Sequence, residues 1–467
     1  MERDKRAVVK GSHVLVLPMP AQGHINPMLQ FSKRLAAKGI KVTLVTTSSY
    51  LNAMQGEQAL AMPINVEPIF DGFREGERVA GVDDYLERFK ATVPGSLAEV
   101  IKKHSSTQNP PRCLIYDSLL PWAVDVAQDS GIHAATFFTQ PCAVSVIYYH
   151  ELQGSLKFPL MEPVVKLPSL PDMEFNDLPT FVYGPGSYPG LYDLVFSRFS
   201  NIDKATWVLW NTFDDLEDEL VKWMKRKWPI KTIGPTIPSM FLDQRLEDDK
   251  DYGLSLFKPK SEACMEWLDS KSPHSVVYVS FGSVARLEEA QMAELAWGLK
   301  RSNYSFLWVV RETELEKLPR SFIEETSDSS LIVTWCNQMQ VLAHRSIGCF
   351  VTHCGWNSTI EALGLGVPMV AMPQWTDQPT NAKFVADVWG VGVRVKVDGN
   401  GTIVTNEEIE RCLREVMVEG ERGIEIRQNS GKWKELARKA VDGGGSSEKN
   451  IEDFVGELMS NSYSIKE

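Results

Sequence analysis

The stretch VLPMPAQGHINPMLQFSKRL, residues 16–35, begins as an apolar strand and continues as an amphipathic helix. Pro27 suits the first turn of that helix, and Gly39 suits its C-terminal cap. His24 lies in the glycine-containing turn between strand and helix. The stretch therefore predicts the strand–turn–helix unit from which parallel sheets are built, with a titratable side chain at its turn.

Apolar strands and helices alternate in two series along the chain. The first includes IKVTLVTT, CLIYDSL and HAATFFT, and the second begins at SVVYVSFGS and includes FLWVVR, SLIVTW, GCFVTHCG and GVPMVAM. Such alternation predicts a parallel sheet covered by helices on both faces. We therefore expect an α/β protein with two doubly wound, Rossmann-like domains facing each other across a cleft. Its ligand site should lie in that cleft, at the carboxyl ends of the strands.

A polar and acidic segment without a sustained apolar period, FLDQRLEDDKDYGLSLFKPK, separates the two series. It predicts an N-terminal domain over 1–240, a linker over 241–260, a C-terminal domain over 261–443 and a final helix within 444–467. Asp249-Lys-Asp251 in this linker has the spacing of a metal-binding carboxylate pair, but it does not follow an apolar strand. We interpret it as a solvated charge run and expect no metal site.

Composition excludes several classes of protein. An apolar fraction of 43% with 24% charged residues over 467 positions is typical of a soluble globular chain of two or three domains. The net charge of −12 argues against a general nucleic-acid binder, which carries a basic surface. The seven cysteines are scattered, so we expect reduced core residues in a cytoplasmic protein. Pro18 and Pro20 interrupt the short apolar run near the N-terminus, which fits neither a signal peptide nor a membrane span.

The most informative stretch of the second series is FVTHCGWNSTIEALGLGVP, residues 350–368. An apolar strand ends in His353, Cys354 and Gly355, and the following helix carries Asn357 and Ser358 in its first turn. Free N–H groups at a helix start attract anions, so this pattern is typical of a diphosphate site. An ordinary turn capped by Asn or Ser is the alternative from these residues alone. Zinc at His353 and Cys354 would lack a second pair of ligands.

The segment from Trp335 to Gln378 spans 44 residues, from WCNQMQVLAH to PQWTDQ. It contains a tryptophan able to stack on a base, a carboxylate (Glu361) one helical turn beyond the phosphate-type site, and an Asp-Gln pair at a strand end. In this order these features resemble the signature box of plant family 1 UDP-glycosyltransferases. The resemblance extends over nearly the whole chain through GHINPM, SFGS, FLWVVR and KWKELARKAVDGGGSS. It implies a GT-B fold whose last helix crosses back to the first domain.

The resemblance assigns the polar positions of the box to a UDP-sugar donor. It implies that uracil stacks on Trp335 beside the Cys336 backbone, and that Gln338 and Glu361 hold the ribose hydroxyls. It implies a diphosphate site at Ser283, His353, Asn357 and Ser358 with Gly23, Gly355 and Trp356 beside it, and a sugar site at Thr139, Asp377 and Gln378. A final Gln goes most often with glucose in this family, so UDP-glucose is the expected donor, with no cofactor.

Two positions depart from the usual pattern of the family. Asn337 stands where Pro is common, and Gly431 lies in RQNSGKWK, where a better helix former is usual. A glycine inside a helix costs about 0.5–1 kcal/mol. Neither position touches a proposed ligand group, so both bear on local rigidity rather than on chemistry.

His24 is the candidate base. Transfer of glucose to a hydroxyl removes a proton from the acceptor, and histidine has the unperturbed pKa best placed for this. The positive end of the helix dipole should disfavour the protonated form of His24 and so lower its pKa. Asp117 ends the strand-like run RCLIYD and should reach the same sheet edge. A helix cap is the alternative for each residue. The resemblance supports a general base with its orienting carboxylate, which implies inversion without a covalent intermediate.

The acceptor pocket is expected mainly in the first domain. The candidates are Met19, Phe137, Phe138, Tyr148 and Tyr149, together with Trp375 from the second domain. Apolar side chains dominate small-molecule pockets, but core packing is the commoner fate of such residues. IFDGFREGE and CMEWLDSK add a resemblance to the branch that glucosylates salicylate, indole-acetate, thiohydroximates, triterpenoids or steroids.

We therefore predict an inverting, metal-independent UDP-glucosyltransferase that acts on a hydroxyl or carboxyl of an apolar small molecule. It is expected to be a cytoplasmic monomer without nucleic-acid or membrane partners. A nicotinamide-dependent oxidoreductase would need G-x-G-x-x-G after the first strand, where PMPAQGHINP has a single glycine. A non-catalytic sensor of a nucleotide sugar or hormone on the same fold is the alternative, and the pairing of His24 with Asp117 weighs against it.

Overall fold

The computed structural model describes residues 12–53, 64–74, 77, 79–247, 249–253, 260–397, 403–418 and 420–460. Its strands are β1 (His13–Leu17), β2 (Lys41–Thr47), β3 (Asn65–Ile69), β4 (Pro111–Asp117), β5 (His133–Phe138), β6 (Val164–Val165), β7 (Met173–Glu174), β8 (Trp207–Trp210), β9 (Ile230–Thr232), β10 (Val276–Ser280), β11 (Ser305–Val309), β12 (Ser330–Val333), β13 (Ile347–Thr352), β14 (Met369–Ala371) and β15 (Gly392–Arg394).

Its helices are α1 (Gln22–Ala37), α2 (Ser48–Ala53), α3 (Val82–Ser105), α4 (Ala123–Asp129), α5 (Cys142–Leu152), α6 (Pro189–Ser197), α7 (Asp218–Lys225), α8 (Ser261–Asp269), α9 (Glu289–Ser302), α10 (Arg320–Glu325), α11 (Gln338–Leu342), α12 (Trp356–Leu365), α13 (Gln378–Lys383), α14 (Asn406–Met417), α15 (Glu421–Val441) and α16 (Ser446–Met459). A π-helical turn follows α13 at Phe384–Val388, and 3-10 turns lie at Phe175–Asp177, Thr180–Tyr183, Ile202–Lys204, Ser239–Phe241 and Glu312–Lys317.

Two parallel sheets organise these elements. The first has seven strands in the order β3-β2-β1-β4-β5-β8-β9, and the second has six in the order β12-β11-β10-β13-β14-β15. The strand order reverses between β1 and β4 in the first sheet and between β10 and β13 in the second. Crevices for ligands open at the carboxyl ends of strands beside such reversals. The arrangement confirms the α/β fold of two doubly wound units.

Helix α1 begins at Gln22, five residues before Pro27, so the expectation that Pro27 stands in the first turn is wrong. Proline has no N–H to donate to the carbonyl four residues earlier, which here belongs to Gly23. The Gly23 carbonyl is therefore left open to a partner from outside the helix. Gly39 follows the helix with a φ of 82°, the left-handed conformation that a C-terminal cap requires.

The two halves of the chain share one apolar core. This core joins Trp210 and Phe213 of the first half to Trp356 and Ile360 of the second. In α12, a Cβ on Gly364 would lie 2.5 Å from Cδ1 of Ile237, so a side chain at this position would displace that of Ile237. The two halves are thus closely packed against each other at this contact.

The last described helix, α16, packs on the first sheet. The ring centroid of Phe454 lies 5.0 Å from that of Trp207 and 6.2 Å from that of Phe31. Ile451 and Leu458 belong to the same buried cluster. Residues 461–467 of the expected final segment lie outside the described residues.

The linker is anchored to α1 by buried charges. Asp249 is 6% exposed and accepts hydrogen bonds from Nζ of Lys33 at 2.9 Å, the backbone N–H of Ser239 at 2.6 Å and the amide of Gln30. The interpretation of Asp249 as part of a solvated charge run is therefore wrong, because three donors and a lysine charge hold this carboxylate in the interior. Residues 248 and 254–259 of the linker lie outside the described residues.

Two further expectations concern the cysteines and membrane-spanning segments. All seven cysteines are buried, which confirms that they are core residues, and none is paired in a disulfide. Among the described residues, no helix combines the length and the apolar character that a membrane crossing requires. The expectation about the extreme N-terminus falls partly on residues 1–11, outside the described ranges.

Candidate active site

A cavity of about 840 Å³ opens between the carboxyl ends of the two sheets and receives residues from both halves. This size lies within the range of small-molecule sites. The predicted residues on its wall are Met19, Gly23, His24, Thr139, Ser283, Trp335, Cys336, Gln338, His353, Gly355, Trp356, Asn357, Ser358, Glu361, Trp375, Asp377 and Gln378. Residues spread over more than three hundred positions of sequence are thus brought to one site.

His24 and Asp117 form a pair at the first-half edge of this cavity. His24 lies in the first turn of α1, and Asp117 ends β4, which is paired with β1. His24 Nδ1 lies 2.6 Å from Oδ2 of Asp117, whose Oδ1 accepts the backbone N–H of Leu119 at 3.0 Å. Because a carboxylate only accepts, Nδ1 carries the proton and Nε2 keeps its lone pair. The hydroxyl of Thr139, just after β5, lies 3.2 Å from the same Nδ1.

The pKa of His24 is raised above its ordinary value, which corrects the expectation of a lowered pKa. Burial of the imidazole disfavours its charged form, but the charge and hydrogen bond of Asp117 outweigh burial. Asp117 itself is fully buried, so its field is poorly screened. A raised pKa makes His24 a stronger base, and the buried carboxylate stabilises the imidazolium that forms when it takes a proton.

A hydrogen-bonded network of polar side chains surrounds Gln338 and Glu361 in the cavity wall. Gln338, at the start of α11, donates from Nε2 to Oε2 of Glu361 at 2.7 Å and to the hydroxyl of Ser358 at 3.0 Å. The hydroxyl of Tyr278 donates to Oε1 of Gln338 at 3.1 Å. The Tyr252 hydroxyl donates to Oε1 of Glu361 at 2.7 Å. Burial raises the pKa of Glu361 to about 7, although its hydrogen bonds with Gln338 and Tyr252 favour the charged form.

His353 stands directly after β13 and is held in a space that only glycines leave open. A Cβ on Gly282 would lie 2.9 Å from Cε1 of His353, and one on Gly355 would lie 2.5 Å from Nε2. Burial, together with the charge of Arg311, lowers the pKa of His353 to about 4. The imidazole is therefore neutral at physiological pH and can offer an anion a hydrogen bond but no positive charge.

Arg311 supports the loop that carries Ser283, and sequence reasoning did not assign it a role. Its guanidinium donates to the backbone carbonyl of Ser283 at 2.7 Å and to that of Ala285. The only signal in the sequence is its place in the FLWVVR motif. Arg311 thus stabilises the conformation of this loop through hydrogen bonds to its backbone.

Asp377 lies in the cavity wall and is held by its neighbours. Its Oδ1 accepts the hydroxyl of Thr376, and its Oδ2 accepts Nδ2 of Asn381, each at 2.7 Å. Burial raises the pKa of Asp377, and the two donors partly offset this by favouring the charged form. The carboxylate is therefore fixed in orientation before any ligand arrives.

Gln378, the neighbour of Asp377, is oriented by the loop before it. Its Oε1 accepts the backbone N–H groups of Gln374 at 2.9 Å and Trp375 at 3.1 Å. Two N–H donors identify this atom as the amide oxygen. The amide nitrogen is left to donate toward the cavity.

Two side chains from the start of α12 connect the halves of the molecule. Nδ2 of Asn357 donates at 2.7 Å to the Gly23 carbonyl, which is open because Pro27 has no N–H. Nε1 of Trp356 donates at 2.7 Å to the carbonyl of Asn211, and its ring is 3% exposed. Asn357 therefore connects the helix of His24 to the phosphate-type site, and Trp356 serves mainly as a packing anchor.

Four of the six predicted acceptor residues do not line the cavity. Phe137, Phe138 and Tyr148 are fully buried in the core, and Tyr149 packs its ring edge-on against Trp228 with centroids 5.2 Å apart. Helix α5 is apolar on all sides, so its aromatic residues are covered by neighbouring elements. The acceptor assignment is therefore wrong for these four residues in this structure.

The other two candidates, Met19 and Trp375, do line the cavity, together with apolar residues that the sequence did not single out. Its apolar wall consists of Met19, Leu86, Leu119, Phe181, Leu191, Val195 and Trp375. Gln140 adds a polar group, and its Oε1 accepts Nη1 of the buried Arg198 at 2.7 Å. Burial lowers the pKa of Arg198 to about 10, so it stays charged. No local pattern marks the remaining residues of this wall, because each faces the cavity only through tertiary packing.

The two departures from the family pattern are explained locally. Asn337 is the N-cap of α11, and its side-chain oxygen accepts the N–H of Gln340 at 3.2 Å. It therefore begins the helix in the way that Asn residues do elsewhere. Gly431 lies within α15, and a Cβ there would meet nothing within 4 Å. Nothing in the packing around Gly431 requires a glycine.

Comparisons with known proteins agree with this geometry. Residues 211–423 match the family described as UDP-glucoronosyl and UDP-glucosyl transferase, and residues 11–59 match a glycosyltransferase N-terminal domain. The chain is 53% identical over 451 residues to UDP-glycosyltransferase 74E2 of Arabidopsis thaliana, covering 96% of this chain and 99% of that one. It is 50% identical over 448 residues to mogroside I-E synthase of Siraitia grosvenorii, covering 96% and 98%.

A solved structure gives the same result. The crystal structure of Os79 from O. sativa in complex with UDP superposes with a TM-score of 0.88 at 41% identity and covers 95% of this chain and 100% of that one. Fold and site together thus define a GT-B glycosyltransferase. Within that class, the chain belongs to the UDP-glycosyltransferase family.

Proposed function

We propose that the protein transfers glucose from UDP-glucose to a hydroxyl or carboxyl of an apolar small molecule, with inversion and without a metal ion. The observation that carries this proposal is that His24, backed by Asp117, opens on the same cavity as Asp377 and Gln378. A base and a pair of sugar-binding side chains on facing walls allow proton removal and sugar transfer within one complex.

The donor would lie along the second half of the cavity. Uracil stacks on Trp335 beside the Cys336 backbone, and the ribose hydroxyls bind Gln338 and Glu361. The diphosphate lies at the start of α12, between Ser283, His353, Gly355, Asn357 and Ser358, with Gly23 across the cleft. Asp377 accepts from sugar hydroxyls and the Gln378 amide nitrogen donates to them, while Thr139 approaches the transferred sugar.

Transfer would follow a single displacement. Nε2 of His24 takes the acceptor proton as the acceptor oxygen attacks the anomeric carbon. The bond from that carbon to the phosphate oxygen breaks on the opposite face, and UDP leaves with the electron pair. Asp117 stabilises the imidazolium, as the carboxylate does in a serine-hydrolase triad. One displacement at one carbon inverts its configuration.

Charge on the departing UDP would be stabilised by the N-terminus of α12 and by neutral hydrogen-bond donors. The backbone N–H groups that follow Gly355 face this part of the cavity, and their dipole favours an anion. His353 adds a donor that stays neutral because its pKa is about 4. These donors supply the stabilisation that a metal ion provides in other transferases.

The domain boundaries, the cellular location, the acceptor class and the oligomeric state are also part of this proposal. We infer a first, acceptor-binding domain over 1–240, a linker over 241–260, a donor-binding domain over 261–443 and a final segment over 444–467 that contributes α16 to the first domain. The seven free, buried cysteines favour a cytoplasmic location. The apolar acceptor wall favours phenols, triterpenoids and steroids over polar sugars. We further propose that the protein acts as a monomer.

The test is an assay of the purified protein with UDP-glucose and a panel of phenols, carboxylic acids, triterpenoids and steroids. We expect a product heavier by one glucosyl unit, stoichiometric release of UDP, activity that survives a chelator, and a β-linked sugar by NMR. UDP binding without release of UDP for any acceptor would overturn the proposal in favour of a sensor.

A variant of Gln378 tests the donor assignment. Gln378→Glu keeps an oxygen for the loop N–H groups and removes the donating nitrogen, so we expect a higher KM for UDP-glucose with little change in UDP affinity. Equal losses for UDP-glucose and UDP would contradict the sugar-binding role.

A further inference from the structure

Tyr252 of the linker reaches the nucleoside end of the cavity. Its hydroxyl donates at 2.7 Å to Oε1 of Glu361, a carboxylate on α12 in the second half. Tyr252 and its neighbours Asp251 and Gly253 line the same cavity as Trp335. The linker therefore contributes a polar group to a site otherwise built from the two sheet edges.

The position of Tyr252 is set from the first half of the molecule. Lys33 of α1 donates from Nζ to Oδ1 of Asp249 at 2.9 Å and to the carbonyl of Asp251 at 2.6 Å. The residue directly before Tyr252 is thus bonded to the helix that carries His24. A buried ion pair costs several kcal/mol to break on one side, so this anchor is firm.

The contact leaves room for a ligand on Glu361. A carboxylate offers about four lone-pair positions, and Tyr252 uses one on Oε1 while Gln338 uses one on Oε2. Each oxygen keeps a position for a further donor. The cavity of about 840 Å³ exists with the phenol in place, so the phenol forms part of its wall and does not fill it.

We propose that Tyr252 is a positioning residue of the donor site, which orients Glu361 to receive the two ribose hydroxyls of the nucleotide. This inference rests on the proposed function, which places the ribose at Glu361. It predicts that the linker contributes to the preference for ribose over deoxyribose donors, although Tyr252 need not touch the nucleotide.

The test compares the binding of UDP and of 2′,3′-dideoxy-UDP to the wild-type protein and to Tyr252→Phe by calorimetry. At a pH of about 8.5, where Glu361 is charged, we expect Tyr252→Phe to weaken UDP binding roughly five- to thirtyfold, because it removes a hydrogen bond to a charged group. Binding of the dideoxy analogue should change less than about twofold. Tyr304→Phe is the matched control, since Tyr304 packs on the outer core of the second half and does not line the cavity.

A double-mutant cycle separates a direct effect from an effect through Glu361. In a Glu361→Gln background, Tyr252→Phe should change UDP affinity less than about twofold. Equal loss for UDP and the dideoxy analogue, unchanged UDP binding or tighter UDP binding would each overturn the positioning role, the last by identifying Tyr252 as an obstruction. Failure of the wild-type protein to bind UDP would count instead against the proposed function.

Discussion

His24 and His353 occupy similar places in the two halves of the molecule and have opposite acid–base properties. Each lies at the junction between a strand of a parallel sheet and the helix that follows it, and both line one cavity. Both are partly buried, which by itself lowers a histidine pKa. The buried carboxylate of Asp117 outweighs burial and raises the pKa of His24, whereas burial, aided by the charge of Arg311, lowers the pKa of His353 to about 4.

The difference shows that the charged partner, more than the strand-to-helix position, decides what such a histidine can do. A histidine with a carboxylate behind Nδ1 can accept a proton and keep it transiently, as a general base must. A buried histidine without such a carboxylate stays neutral and can only donate or accept a hydrogen bond. Under the proposed function, proton transfer would fall to the first junction and diphosphate binding to the second.

The largest effect is expected from His24→Ala. With an alcohol acceptor of high pKa, kcat should fall on the order of a thousandfold, because the proton loses its acceptor in the transition state. UDP affinity measured by calorimetry should stay within about twofold of wild type, since His24 does not belong to the diphosphate site. Near wild-type turnover would contradict the base assignment. A carboxylic acid acceptor serves as the internal control. Because it is already ionised, the turnover of His24→Ala with this acceptor should fall far less.

Asp117→Asn removes the partner that distinguishes the two histidines. Burial then dominates, so the pKa of His24 should fall, and turnover should drop about a hundredfold because the imidazolium loses its stabilising charge. In the wild type, kcat/KM should rise with pH through a value above 6.5, since only neutral His24 accepts a proton. In the variant this rise should occur at lower pH.

The matched control for Asp117→Asn is Asp125→Asn. Asp125 forms a half-exposed pair with Lys204 at 2.7 Å, away from the cavity. The control should leave the pH profile unchanged. If kcat/KM of Asp117→Asn rose at the same pH as that of the wild type, Asp117 would not set the pKa of His24.

His353→Asn should have a smaller effect, directed at UDP. We expect roughly tenfold weaker UDP binding, the size of one hydrogen bond to a charged group. Because His353 is neutral above a pH of about 4, the ratio of variant to wild-type dissociation constants should be constant between about pH 6 and 8. A ratio that grows as the pH falls through this range would mean that His353 binds UDP as a cation.

The smallest expected effect is that of Gly431→Ala, which leaves both histidines alone. Since a Cβ there meets nothing within 4 Å and α15 is regular around it, the variant should gain about 0.5–1 kcal/mol in free energy of unfolding. Denaturant unfolding measures this, with unchanged kcat and KM. A loss of stability would mean that the glycine serves a purpose that the packing does not reveal.

Local patterns in the sequence were enough to predict the two junctions. The runs around His24 and His353 combine an apolar strand, a glycine and a helix start, and these features lie within a few residues of one another. Their placement at one cleft follows from parallel-sheet topology, which brings carboxyl ends of strands to one edge. The fold and most of the second-half residues that line the cavity could therefore be predicted before the structure.

Features that depend on distant partners were not predictable. The pKa of His24 is set by the competition between burial and Asp117, and a sequence shows neither the distance nor the exposure that decides it. In the sequence, Asp249 belongs to an acidic run and is predicted to be solvated. In the structure, Lys33 lies beside it and donates a hydrogen bond to it. Phe138 and Phe181 are equally apolar in the sequence, and only tertiary packing directs Phe181 to the cavity and Phe138 to the core.

The most direct test of the divided roles is an NMR titration of the protein with 13C-labelled histidine. His24→Asn and His353→Asn assign the two signals by their loss. The account predicts that the His24 signal titrates above 6.5 and that the His353 signal does not move between about pH 5.5 and 8.5. A His24 midpoint below 6.5, or a His353 that becomes charged within that range, would contradict it.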